Sequence, residues 1–157
     1  MDSPSSPRRP LLYRLGVYLL AVLTAYILAS ITATQSVVFN LSGMGIAVDF
    51  PTRISMTLQD LAGMAGSLLP LIAAGFLIAF LIAGLLLLWA PRWRTLLYIV
   101  AGAGALICIH LSMKLALGIT PVAIGRTTGG LLVQGIAGAA GGYVFARLMQ
   151  VRTTEVA

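Results

Sequence analysis

His110 and Lys114 stand four residues apart in an apolar run, so a helix would carry both on one face. Asp60, Arg126 and Gln134 also fall beside or inside such runs. An ionisable group in a membrane-spanning segment is a functional-site hypothesis by default, and an imidazole near a carboxylate can move a proton. Counted along their helices at about 1.5 Å per residue, His110 and Gln134 reach the same depth, close to Ser30 and Thr34. Together with Asp60, Lys114 and Arg126 they could line a small cavity open to the exterior, as ligand or proton-relay groups. The plainer reading is a neutral His110 hydrogen-bonded to Gln134 or to a backbone carbonyl, since one interhelical bond of about 0.6 kcal/mol explains its presence. Asp60 likewise has a plain role, pairing with Lys114 or Arg126 at the water boundary for about 0 to 1 kcal/mol.

Other chemistries lack their residues. The chain has one His and one Cys, too few for a zinc site of three or four converging ligands or for a bis-histidine haem. Cys108 is in an apolar run and cannot pair within the chain. Paired carboxylates for aspartyl catalysis are missing from the spans, as is a phosphate-binding glycine loop with lysine. The sequence therefore implies no cofactor and no catalytic residue.

The elements that must position these groups are membrane helices. Of 157 residues 59% are apolar and 9% charged, against about 25% charged in a soluble domain. The expected fold class is all-α: a polytopic integral membrane protein of four transmembrane helices, with a short interfacial helix between the first two. A span needs about 20 apolar residues, and the runs place spans at about 11–33, 67–90, 95–117 and 129–148. Residues 1–10, with three prolines and three serines, read as a disordered tail, and 149–157 as a second, short tail. The apolar part of the first run exceeds a signal peptide's, and no Ala-x-Ala site closes it.

The link 34–60 reads as an outer loop lying on the membrane. In it Asp49 can cap, and Pro51 begin, a short helix. Ile54, Leu58, Leu61 and Ala65 fall on one helical face, the pattern of an interfacial amphipathic helix; an ordinary loop is the competing reading. Gly63, Gly66 and Pro70 crowd the start of the second run, so its span starts near Pro70 or kinks there.

In the last span Gly130, Gln134, Gly138 and Gly142 recur every four residues, with Gly141 beside them. Small residues at this spacing let helix backbones approach in lipid. Gly75, Ala79 and Ala83 in the second span, and Ala101 to Ala105 in the third, offer partner stripes. Packing within one bundle is the first expectation; a homo-oligomer or a larger complex through the fourth helix is the alternative.

The net charge of +6 reflects bases in the links, a matter of orientation and not of nucleic acid. With the amino terminus inside, Arg8, Arg9, Arg14, Arg92, Arg94, Arg147 and Arg152 are cytoplasmic, and Arg53, Lys114 and Arg126 are outside. Both termini are then expected in the cytoplasm. The bias to Arg, Ala, Gly and Leu points to a bacterial inner membrane, and in general outline the sequence resembles small four-helix bacterial inner-membrane proteins. The expected role is non-enzymatic: a packing, scaffold or accessory subunit whose surroundings are the lipid bilayer. A small-molecule, lipid or proton transporter or binding unit is the second expectation, and a membrane-surface enzyme the third.

Overall fold

The computed structural model describes residues 11–117, 124 and 127–151. Both expected tails, the link 118–121 and Arg126 lie outside the described residues, save for positions 149–151 at the end of the last helix. In chain order the helices are α1 (Leu11–Gly43), α2 (Phe50–Ala65), α3 (Leu68–Leu86), α4 (Arg94–Leu117) and α5 (Thr128–Val151), with one 3-10 turn at Pro91–Trp93. The protein is all-helical among the described residues, and α1, α3, α4 and α5 are long and apolar enough to cross a membrane.

The first helix is the longest. Its 33 residues correspond to about 50 Å, against about 30 Å of hydrocarbon, so it runs ten residues past the expected span end. Thr34, Gln35 and Ser36 mark an exit from lipid without breaking the helix, because Gly and Pro are absent from 34–42. The stop comes at Gly45, whose φ of 81° is the left-handed conformation glycine tolerates. Ile46 N–H donates to the Leu41 carbonyl at 3.1 Å and Gly45 N–H to Ser42 at 3.1 Å, a Schellman closure.

Chain reversal at Gly45 sends α2 back along α1. Asp49 occupies the cap position with extended backbone, and Pro51 is in the first turn, but the Asp49 side chain makes no capping bond. The expected apolar face divides along its length: Leu61 and Ala65 pack on the core, whereas Ile54 and Leu58 are exposed. The break between α2 and α3 is at Gly66 and Ser67, where Pro70, lacking an N–H, cannot bond back to Gly66. This is four residues before the proline the sequence pointed to.

The four long helices form a ring in which α5 packs on both α1 and α4, and α3 on α4 and α1. Tightest is α4 against α5: a methyl group on Gly138 would strike the Gly102 carbonyl, and one on Gly142 the Tyr98 carbonyl. On its other side a methyl group on Gly141 would stand 2.7 Å from the Phe76 ring and 2.8 Å from the Ala21 carbonyl. Thr127 closes the start of α5 by accepting from Gly130 N–H at 3.0 Å. Three tyrosines of α1 each donate to a carbonyl on a different helix: Tyr13 to Leu148 of α5 at 2.7 Å, Tyr18 to Ala73 of α3, and Tyr26 to Leu61 of α2.

Candidate functional site

The core is layered. Toward the end holding α1's start and α5's finish, Phe76, Phe80, Tyr98 and Phe145 fill the centre, with Phe80 4.5 Å from Phe145 and 5.5 Å from Tyr98 between ring centroids. Toward the end where α1 turns into α2, the buried side chains become polar: Ser30, Thr34, His110 and Gln134, all at most 4% exposed.

Helix register assembles this second layer. The α4 face that meets α5 steps from Tyr98 through Gly102 and Leu106 to His110, each four residues on. Tyr98 meets Gly142, Gly102 meets Gly138, and Leu106 also packs at Gly138. His110, four residues on from Leu106, and Gln134, four before Gly138, each stand one turn further toward the same end of the bundle. From α1, the Ala29 carbonyl accepts from Gln134 Nε2 at 3.0 Å, and Thr32 Oγ1 accepts at 3.3 Å, which brings the neighbouring Ser30 to the same level.

These bonds fix what each polar group turns inward. A carbonyl only accepts, so the 2.9 Å contact of His110 Nδ1 with the Leu106 carbonyl puts a ring hydrogen on Nδ1 and turns Nε2 inward. The Gln134 amide nitrogen is committed to α1, which leaves Oε1 as the inward acceptor. None of the described residues pairs with His110 Nε2, Gln134 Oε1 or Ser30 Oγ. Such orphaned groups are uncommon in folded proteins, and here three share one layer.

The structure places the other sequence candidates differently. Asp60, half-buried on α2, accepts from Thr34 Oγ1 at 2.7 Å through Oδ2; Arg126, one of its two expected partners, lies outside the described residues. Lys114 is exposed and stays out of the buried layer. Among the described residues no three His, Cys, Asp or Glu side chains come together. The glycines Gly130, Gly138, Gly141 and Gly142 are all in close internal contacts, while Gly75, Ala79 and Ala83 face α4. Sequence reasoning did not assign Gly102, Thr32 or the three α1 tyrosines; Gly102 follows Ala101 inside the stripe it did note, and Tyr18 and Tyr26, eight apart, share a helical face.

A second feature is a groove of about 800 Å³ between α3 and α4. Ala74, Ala79, Ala101, Gly104 and Cys108 line it, and a Cβ on Gly104 would meet nothing within 4 Å. It extends from Leu71 to Leu86 on α3 and from Leu97 to Ala116 on α4, so it follows nearly the whole length of both helices. No protein-family model, curated protein or solved structure matches the chain.

Proposed function

We propose that this chain is a non-enzymatic subunit of a bacterial inner-membrane complex, with both termini cytoplasmic, and that it receives a transmembrane helix of a different protein in the α3–α4 groove. The observation that carries this reading is the open groove beside a closed α4–α5 contact: Gly130, Gly138, Gly141 and Gly142 of the last helix are spent inside the bundle, while Gly104 and the small residues around it face outward. Small residues exposed along a span favour close approach of another helix. The groove's run of 20 residues on α4, Leu97 to Ala116, matches the length of one span. Two copies set groove to groove would face concave against concave and leave the volume unfilled, which favours a partner of another sequence. Seven bases toward the termini side against three on the other support the orientation.

Cys108 is the chain's one cysteine, exposed and in the groove wall, so it is a native attachment point for the test. A photo-cross-linker placed on Cys108 in intact membranes is expected to yield one discrete heteromeric adduct, and native mass spectrometry the matching stoichiometric complex. Both are lost in Gly104→Leu. An adduct of two copies, or lipid alone in the groove, overturns the reading.

A second reading, a proton or small-molecule binding unit, is favoured by the three orphaned polar atoms. A path through a single copy is opposed by the aromatic layer, whose rings occupy the centre of the bundle.

A further inference from the structure

We propose that the cleft between the last turns of α1 and the facing side of α2 holds an anionic phospholipid, with its phosphate on Arg53 and the start of one acyl chain along Ile54 and Leu58. The cleft, of about 260 Å³, is lined by Gln35 of α1 and by Phe50, Arg53, Ile54, Thr57 and Leu58 of α2. Its depth in the membrane follows from α1. From Arg14 to Gln35 the helix rises about 30 Å, one hydrocarbon thickness. With Arg14 at one boundary Gln35 is at the other, and the bond from Thr34 to Asp60 holds α2 beside it. Arg53 is about two turns further out on α2 and lines the same cleft as Gln35, which puts its guanidinium at head-group level. Phe50, Ile54 and Leu58, each four residues on, form one exposed stripe, and α2 continues past them to Leu61 and Ala65 against the core. The stripe therefore leads from the head-group zone toward hydrocarbon.

The polar part of the lining offers donors and no carboxylate. Arg53 is half-buried; its Nε donates to the Val48 carbonyl at 3.3 Å, and its own carbonyl accepts from Thr57 Oγ1 at 2.8 Å. These bonds hold the root of the guanidinium. Its two terminal nitrogens have no partner among the described residues, and neither has the exposed Gln35 amide. Asp49, one turn before Arg53, makes no ion pair with it, and Asp60 is taken by Thr34. A guanidinium presents paired N–H groups that match two phosphate oxygens, and the Gln35 amide adds a neutral donor. The remaining lining is apolar, which suits a lipid tail and offers nothing to a free anion. The cleft is smaller than the roughly 300 to 1,000 Å³ that encloses a drug-sized ligand, so it takes a head group and the first carbons of one chain and leaves the rest in the bilayer. A head group of net negative charge is favoured over a zwitterion, because no carboxylate in the lining receives an ammonium.

The test is native mass spectrometry of the full chain in detergent, titrated with phosphatidylglycerol. One lipid is expected to bind more tightly than those that follow. Arg53→Gln weakens that first adduct by about tenfold, the loss of one charge-assisted contact. Gln35→Leu, at an exposed position, weakens it by about twofold and keeps the test readable if Arg53→Gln does not fold. Arg147→Gln, at the other end of the bundle, and Gly104→Leu, in the α3–α4 groove, leave it unchanged, and uncharged diacylglycerol gives no such adduct. A first adduct that survives Arg53→Gln in a folded protein overturns the proposal, as does one lost in Arg147→Gln or Gly104→Leu instead. Inorganic phosphate that displaces the lipid at equal concentration also overturns it, since the cleft would then be a site for a free anion.

Discussion

The helix α4 has a neighbour on each side, and the two contacts are built on different principles. Against α5 it meets backbone with backbone: Gly102, Gly138 and Gly142 have no side chains, and the carbonyls of Gly138, Gly102 and Tyr98 respectively fill their places. Against α3 it meets at side-chain distance, with Ile109 standing 2.8 Å from where a Gly75 methyl would be, and leaves a groove of about 800 Å³. Lipid is as apolar as leucine, so hydrophobicity does not decide which helices associate; closeness of packing does. The same composition of small residues therefore gives a closed contact where glycines oppose glycines and an open one where the opposing helix brings branched side chains.

Gly138→Leu attacks the closed contact directly and is expected to have the largest effect. Overpacking usually costs about 1 to 3 kcal/mol where side chains can yield, but here the obstacle is the Gly102 carbonyl, which moves only with α4 itself. The folded monomer is expected to be lost, seen as disappearance of the cooperative thermal transition in detergent. A stable, monodisperse Gly138→Leu protein would mean that α4 and α5 are not held by backbone contact.

Phe80→Ala tests how the looser helix α3 is held. Its ring contacts Phe76, Tyr98 and Phe145 at centroid distances of 4.8, 5.5 and 4.5 Å. In water-soluble proteins a buried Phe→Ala change costs about 3 to 5 kcal/mol, transfer and cavity terms together. In a bilayer the transfer term nearly vanishes, so unfolding titrations should show a loss of about 2 kcal/mol from the cavity term. Tyr18→Phe, which removes the hydroxyl donated to Ala73, should cost about 0.6 kcal/mol in the same assay. If Tyr18→Phe proves the more damaging, polar ties and not ring packing hold α3 to the bundle.

Both kinds of contact were visible in the sequence to different degrees. Four spans follow from long apolar runs, and the α5 stripe from glycines every four residues. What a stripe cannot announce is its partner, since Ala101–Ala105 and Gly75–Ala83 were equally eligible; the choice rests on Gly102, whose missing side chain admits Gly138. The extension of α1 was hidden because Thr34, Gln35 and Ser36 signal departure from lipid, a statement about solvent and not about helix ends. With α1 read short, the meeting of Thr34 and Asp60 was out of reach, because it exists only if α2 folds back along the extended helix. The level shared by His110 and Gln134 was legible from counting alone, whereas the orphaned state of their inward atoms depends on which carbonyls their outward atoms meet.

Gly104→Leu is expected to have the smallest effect on the isolated chain, and it divides the two contacts most sharply. It puts the same side chain into the same helix that Gly102 and Gly138 hold closed, two residues from Gly102, yet a Cβ there meets nothing within 4 Å. Removing a glycine from a helix interior itself favours the helix, by up to about 1 kcal/mol, so the thermal transition in detergent should be unchanged or slightly higher. In membranes the expectation reverses. A leucine there takes up part of the space between α3 and α4, and the partner helix is displaced while the bundle stays folded. A variant that is stable in detergent and still complexed in membranes would show that the groove is lipid-filled surface; one that unfolds in detergent would show that α3 closes on α4 and that the two contacts differ less than their geometry indicates.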